Sequence, residues 1–222
     1  MNQILNENHN PVLPTSTKSI SKHKKKFLFI FFISISICII SFFIYFSMKY
    51  HVWEKEKISQ SLVKQFSITT LYANTVAETT TARLENITTT NTDPFVIGLI
   101  EINKIKLLYP ILSNTTEDLL KIAPCHYAGP LPNQVGNLCI AGHNYVDNKL
   151  FSKIHLLQIG DTIHIYDLQG NKLAYEVYAT TEVDVKDVSC TSQNTNGRKE
   201  ITLITCNNVT GTRVIVKAKE NR

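Results

Sequence analysis

Ile201-Thr-Leu-Ile-Thr-Cys206, then Asn207-Asn-Val-Thr-Gly-Thr212, then Arg213-Val-Ile-Val216, reads as a strand, a short polar turn and a returning strand. Alternate side chains of a strand share a face, so Thr202, Ile204 and Cys206 point one way and Leu203 and Thr205 the other. Thr205 and Asn207 flank the cysteine with polar groups, which places its sulfur at a strand end rather than deep in a core. The turn contains Gly211 and is short enough for an antiparallel hairpin, so Arg213 is expected back at the same end as Cys206.

Upstream of this pair the chain keeps the same texture from Asp93 onward, with short apolar runs between turn signals. Phe95–Ile102, Ile105–Leu112, Leu138–His143, Thr162–Tyr166, Lys172–Thr181 and Val183–Val188 read as further strands. Thr115-Thr116-Glu-Asp-Leu-Leu120 reads as a helix start, with a threonine cap and acids in the first turn. Pro124, Gly129, Pro130 and Pro132 mark a loop, and Leu150–Leu157 a short helical segment ended by Gly160. Eight short strands with scattered short helices predict a mainly β domain, a closed or nearly closed barrel, over residues 93–222.

The N-terminal part differs. Phe27 to Met48 is an uncharged run of Phe, Ile, Leu and Ser. At ~1.5 Å per residue it is long enough for the ~30 Å hydrocarbon core of a bilayer. Lys22, Lys24, Lys25 and Lys26 abut its N-terminal side, which favours the N-terminus inside and the bulk of the chain outside. A cleaved signal peptide needs a small-residue cleavage site, and Tyr45-Phe-Ser-Met-Lys-Tyr50 offers none. The expected organisation is a cytoplasmic tail (1–26), a single transmembrane signal anchor (27–48), an extracellular spacer (49–92) and the barrel. Trp53–Tyr72 has loose helical periodicity, while Thr79–Thr92 is a threonine-rich spacer.

The formal net charge is +5, but residues 1–92 carry 10 Lys+Arg against 5 Asp+Glu, and residues 93–222 carry 13 of each. A neutral barrel has no electrostatic footprint for DNA or RNA, so nucleic acid is not an expected partner. Four of the five cysteines lie outside the apolar run: Cys125, Cys139, Cys190 and Cys206. Their spacing is not that of a small cross-linked scaffold, although a Cys125–Cys139 or Cys125–Cys190 bridge stays open.

Two residues besides Cys206 suggest chemistry. His143 ends its strand after Gly142 and could reach the same rim as a general acid and base. Arg213 could favour a thiolate or donate hydrogen bonds to a developing oxyanion. Each has a blander reading, as a buried cysteine, a satisfied histidine and a solvated edge arginine. His126, His155 and His164 take that reading outright. Cys139-x-x-x-His143 looks like zinc-ligand spacing, yet on one strand the two lie ~13 Å apart. They cannot then both meet an ion at ~2.0–2.3 Å, so no metal is expected.

Thr202-Leu-Ile-Thr-Cys206 resembles the Thr-Leu-x-Thr-Cys motif of the sortases, cysteine transpeptidases of Gram-positive cell surfaces. Gly98-Leu-Ile-Glu-Ile102, Tyr109-Pro-Ile111, His126-Tyr-Ala-Gly129, Gly136-Asn-Leu-Cys-Ile-Ala-Gly-His143, Gly160-Asp161 and Arg213-Val-Ile-Val216 follow the family's order. The resemblance implies an eight-stranded sortase barrel and a two-step reaction. Cys206 would attack the Thr–Gly carbonyl of a Leu-Pro-x-Thr-Gly-like sorting signal. An amine from a peptidoglycan precursor, or from a pilin lysine, would resolve the thioacyl enzyme. His143 would handle the protons, with thiol and imidazole active in the minor reverse-protonated state, and Arg213 would hold the carbonyl or oxyanion. Ala141 and Thr205 are expected to line the groove.

The domain most resembles class A or class D members. No second hydrophobic span follows Lys219, which weighs against many pilus builders, and Asp93-Pro94-Phe95 is read as a strand-entry turn rather than their aromatic lid. No cofactor is expected. Some class A members bind calcium, but Glu117, Asp118, Glu182 and Asp184 show no ligand spacing, so calcium modulation stays open. A non-catalytic surface binding module on the same barrel is the alternative from another functional class. The intact Cys206, His143 and Arg213 weigh against it.

Overall fold

The computed structural model describes residues 18–77, 95–145 and 147–221, with side chains of the N-terminal helix described from 26 to 70. The tail before Lys18, the threonine-rich stretch and Asp93-Pro94 lie outside the described residues. The chain divides between Val52 and Trp53 into two compact units.

Helix α1 runs over Lys18–Ala77. Its Lys26–Thr70 portion is long and apolar enough, by length and composition, to cross a membrane. From Trp53 onward α1 belongs to the same unit as the barrel. Ser59, Val63 and Phe66 are buried there, one helical turn apart in succession. Val63 and Phe66 pack on Leu99 with Val96 and Tyr166, and Leu62 packs on Leu112, Ala123 and Cys125. The Tyr109 hydroxyl donates to Glu56 at 3.1 Å, and Lys149 pairs with the same carboxylate at 3.6 Å. Loose periodicity thus becomes a docked face.

The barrel comprises β1 (Val96–Ile102), β2 (Leu107–Leu112), β3 (Cys125–Ala128), β4 (Gly136–Ala141), β5 (Thr162–Tyr166), β6 (Lys172–Val183), β7 (Lys199–Cys206) and β8 (Arg213–Glu220). It closes in the order β1-β2-β3-β4-β7-β8-β6-β5, with β2 and β3 meeting only at Leu112 and Cys125. The β2–β3 and β4–β7 pairs are parallel and the others antiparallel. The predicted eight-stranded barrel is present.

β4 ends at Ala141, so His143 lies two residues past the strand it was expected to end, and three further details differ from the sequence reading. Cys125–Ala128, read as loop, is a four-residue strand, because its backbone pairs with β4 despite the prolines around it. β6 runs unbroken to Val183 with a bulge between Val177 and Ala179, and Asp184 to Val188 form turns rather than a strand. The Leu150–Leu157 segment holds only a 3-10 turn at Ile154–Leu156. Short helix α2 (Glu117–Leu120) forms as expected, with the Leu119 N–H donating to the Thr116 hydroxyl at 3.3 Å.

Alternate residues fill the barrel. Leu138 and Ile140 from β4, Ile201 and Leu203 from β7, and Val214, Val216 and Ala218 from β8 join one core with Ile100, Ile163 and Tyr175. Full burial of such side chains contributes about 1.5–3 kcal/mol each. The intervening residues face outward, where Cys139, Cys190, Ile204 and Ile215 form a smaller apolar cluster with Ala128 and Val183. That outer face leads, two residues beyond Ile204, to Cys206.

Candidate active site

β4 and β7 run parallel with Ala141 beside Ile204. Two residues further along both chains bring His143 level with Cys206. Four hydrogen bonds fix that alignment. The Gly142 N–H donates to the Ile204 carbonyl at 3.0 Å, and the Thr205 hydroxyl donates to the Gly142 carbonyl at 2.7 Å. The Asn144 side-chain amide donates to the Cys206 carbonyl at 2.7 Å, and that of Asn208 to the Asn144 carbonyl at 2.8 Å.

On its other side Cys206 is paired directly with Arg213 across the β7–β8 hairpin. The turn closes through the Asn207 N–H on the Thr212 carbonyl at 2.8 Å and the Gly211 N–H on the Asn207 carbonyl at 2.9 Å. Gly211 has φ +71°, a conformation that favours glycine. The thiol therefore stands at the end of the middle one of three adjacent segments, with the histidine segment on one side and the arginine on the other.

Cys206 is exposed, while His143 and Arg213 are half-buried. Ala141 is half-buried on the strand leading to His143, and Thr205 is 4 % exposed with its hydroxyl on Gly142. Thr205 thus holds the histidine segment from beneath instead of presenting its side chain to solvent. A Cβ at Gly142 would come within 2.7 Å of the Phe151 ring, so only glycine lets the ring pack there. The Phe151 N–H in turn donates to the His143 carbonyl at 3.0 Å.

The imidazole of His143 lies against Tyr145, with ring centroids 5.1 Å apart. Its Nε2 is buried and has no hydrogen-bond partner among the described residues, and Glu117 Oε1 stands 3.9 Å away. Burial pushes the Tyr145 phenol above its ordinary pKa, with the Glu117 charge adding to it, so it stays neutral beside the ring. The other three barrel thiols are buried. Burial pushes Cys125 up to about 12 and Cys139 up to about 12, and also raises Cys190. All five cysteines are free, which closes the question of a bridge from Cys125.

The loop before β7 is fastened to β4 by Asn137. Its side-chain amide donates to the carbonyls of Cys190 at 3.0 Å and Ser192 at 3.1 Å, and its oxygen accepts from the Thr202 hydroxyl at 2.8 Å. Gln193 completes the junction by bonding both the N–H and the carbonyl of Asn137. The parts played by Asn137, Asn144, Glu182 and Asn208 could not be read from sequence, because their partners lie 25 to 65 residues away.

A sortase-domain profile matches residues 100–221, which is more than half of the chain and includes every residue of this site. The chain belongs to the sortase family. Sortases are cysteine transpeptidases, in keeping with an exposed thiol beside an imidazole and a guanidinium. The chain is 40% identical over 116 residues to sortase A of Bacillus anthracis, covering 50% of this chain and 52% of that one. It is 29% identical over 110 residues to sortase D of Bacillus subtilis (strain 168), covering 49% and 53%. The chain thus spans about half the length of the curated relatives it matches. Among solved structures, the Clostridium perfringens sortase D5 transpeptidase superposes with a TM-score of 0.57 at 30% identity, over 76% of this sortase and 99% of that chain.

Proposed function

We propose that this sortase is a membrane-anchored cysteine transpeptidase that joins surface proteins to a cell-wall amine. The observation that carries the reading is the alignment of His143 and Arg213 on either side of the exposed Cys206. Cys206 Sγ attacks the Thr–Gly carbonyl of a Leu-Pro-x-Thr-Gly-like sorting signal. Arg213, one strand away, donates to the carbonyl oxygen as negative charge develops on it. His143 protonates the departing glycine amine, leaving the substrate as a thioester on Cys206. It then takes a proton from the incoming amine, from a peptidoglycan precursor, as that amine displaces the thiolate.

The half-buried Ala141, on the strand leading to His143, lines the groove that takes the apolar part of the signal. Thr205 acts by holding Gly142. The apolar part of α1 anchors the chain in the cell membrane, and the lysines before it keep the N-terminus on the cytoplasmic side, so the barrel faces outward.

The full chain in detergent micelles, incubated with a panel of Leu-Pro-x-Thr-Gly-type peptides and an amine acceptor, tests this. Cleavage between Thr and Gly with transfer to the amine is expected. Absence of cleavage of every peptide, or undiminished cleavage by Cys206→Ala, overturns it.

A further inference from the structure

The β7–β8 turn is bound to a carboxylate outside it. Glu182, near the end of β6, pairs across the sheet with Val214, and its neighbour Val183 pairs with Arg213. From there Glu182 Oε1 accepts from the Asn207 side-chain amide at 2.9 Å. Its Oε2 accepts from the Thr212 hydroxyl at 2.9 Å and from the Thr210 hydroxyl at 3.4 Å. Asn207 is the residue immediately after Cys206, and Thr212 the residue immediately before Arg213. One carboxylate therefore grips both ends of the turn, one residue inside the thiol and one inside the guanidinium.

We propose that Glu182 is a positioning residue of the active-site hairpin, fixing how Cys206 and Arg213 stand relative to each other. This rests on the transpeptidase reading above.

The turn needs such a tie. Asn207 to Gly211 are exposed or half-buried, and Val209 at its tip is 94 % exposed, so no apolar packing holds the tip down. Within the turn, the Asn207 side-chain oxygen is taken by the N–H groups of Val209 and Thr210. The Asn207 side chain is thus satisfied at both ends, oxygen inward and amide on Glu182. On the β4 side, Asn208 bonds the Asn144 carbonyl. The turn is fastened from the segment after β4 through Asn208 and from β6 through Glu182, and Cys206 lies between the two fastenings. Glu182 touches neither the thiol nor the guanidinium. Its effect passes through Asn207 and Thr212, and a displacement of about 1 Å in such a support can lower a rate by about a hundredfold.

The three donors also hold the Glu182 carboxyl below the ordinary carboxylate pKa, the Thr212 bond first, so it is ionised and fully accepting at neutral pH. Asp184, two residues on, is turned to the Lys186 backbone N–H at 2.8 Å and does not substitute for it.

The test uses the full chain in micelles, with Glu182→Ala, Glu182→Gln and Thr212→Val. Glu182→Ala is expected to lower kcat by about tenfold or more while KM changes less than about threefold, since the tie matters to the reacting groups rather than to signal binding. Amide exchange at residues 207–213 should quicken in parallel, with little change in Tm. Glu182→Gln keeps a side-chain oxygen and the shape, and should recover most of kcat. Thr212→Val removes the turn's half of one bond and gives the same pattern in smaller degree, which keeps the test open if Glu182→Ala does not fold. Native kcat with native exchange in Glu182→Ala, or in Thr212→Val where only that variant folds, overturns the proposal. So does a fall in kcat without faster exchange at 207–213. The exchange readout needs no substrate. A chain that cleaves no peptide sinks the transpeptidase reading and leaves the clamp to be decided by exchange alone.

Discussion

The side-chain amide of Asn144 donates to the carbonyl of Cys206 at 2.7 Å. The residue after the candidate base is thus bonded to the backbone of the candidate nucleophile, and two strand ends 62 residues apart in sequence are joined at the point where the chemistry is proposed.

Asn144→Ala should lower kcat/KM by about twofold to about thirteenfold, the range set by a net hydrogen-bond contribution of about 0.5–1.5 kcal/mol. Steady-state kinetics on a cleaved peptide check this. An unchanged kcat/KM would show that the strand ends keep their alignment without the bond.

Thr205→Val should cost stability more than it costs signal binding. The variant leaves the buried Gly142 carbonyl without its hydroxyl donor, a loss of about 1–3 kcal/mol. Urea unfolding of the variant measures it, and a midpoint identical to that of the unmodified chain contradicts the supporting role.

The barrel thiols should separate by reactivity. Iodoacetamide at neutral pH is expected to modify Cys206 and spare Cys125, Cys139 and Cys190, because burial keeps those three protonated and covered. Peptide mapping reads the sites. All three should become reactive once the protein is unfolded in urea, and early labelling of Cys139 would contradict the closed outer cluster.

Helix α1 should stabilise the barrel. Phe66→Ala removes a side chain packed on Leu99, and is expected to cost about 2–4 kcal/mol, near the lower end for large-to-small changes at a packed aromatic. Tyr109→Phe, which deletes the bond to Glu56, should cost about 0.5–1.5 kcal/mol. Burial pushes the Tyr109 phenol up to about 12, so this hydroxyl still donates at any pH the cell meets. A Tm unmoved by Phe66→Ala would show that the helix merely passes the barrel.

Acid should weaken the β1–β5 region through Glu101. Hydrogen bonds from Tyr166 first, then Lys172, hold its carboxyl below the ordinary value. Its folded pKa is thus below its unfolded one, so its stabilising contribution is present above the ordinary carboxylate range and is lost as pH falls through the folded value. Urea midpoints between pH 7 and about pH 3 should fall less steeply in Glu101→Gln than in the unmodified chain. Equal slopes would contradict this.

The parts legible in sequence were those set by local pattern. Alternation at Ile201–Cys206 put Leu203 on the opposite face from Cys206 and Cys206 at a rim, and Thr116 signalled the start of α2. Strand β3 escaped because four residues between Pro124 and Gly129 carry no periodicity, and only pairing with β4 makes them a strand. The bulge in β6 escaped because it lies between Val177 and Ala179, where alternation alone signals an unbroken strand. Glu182 looked like an acid without ligand spacing, since its meaning lies in residues 25 to 30 positions later. The docked face of α1 showed as periodicity, but which strands it covers depends on closure of the barrel.

The most direct test of the central claim is the intact mass of the full chain, acid-quenched during turnover of a cleaved sorting-signal peptide without added amine. The account predicts a mass gain equal to the peptide up to its threonine, mapped to Cys206 as a thioester and absent from Cys206→Ala. A peptide cleaved with no such adduct, or an adduct that maps elsewhere or survives in Cys206→Ala, contradicts it.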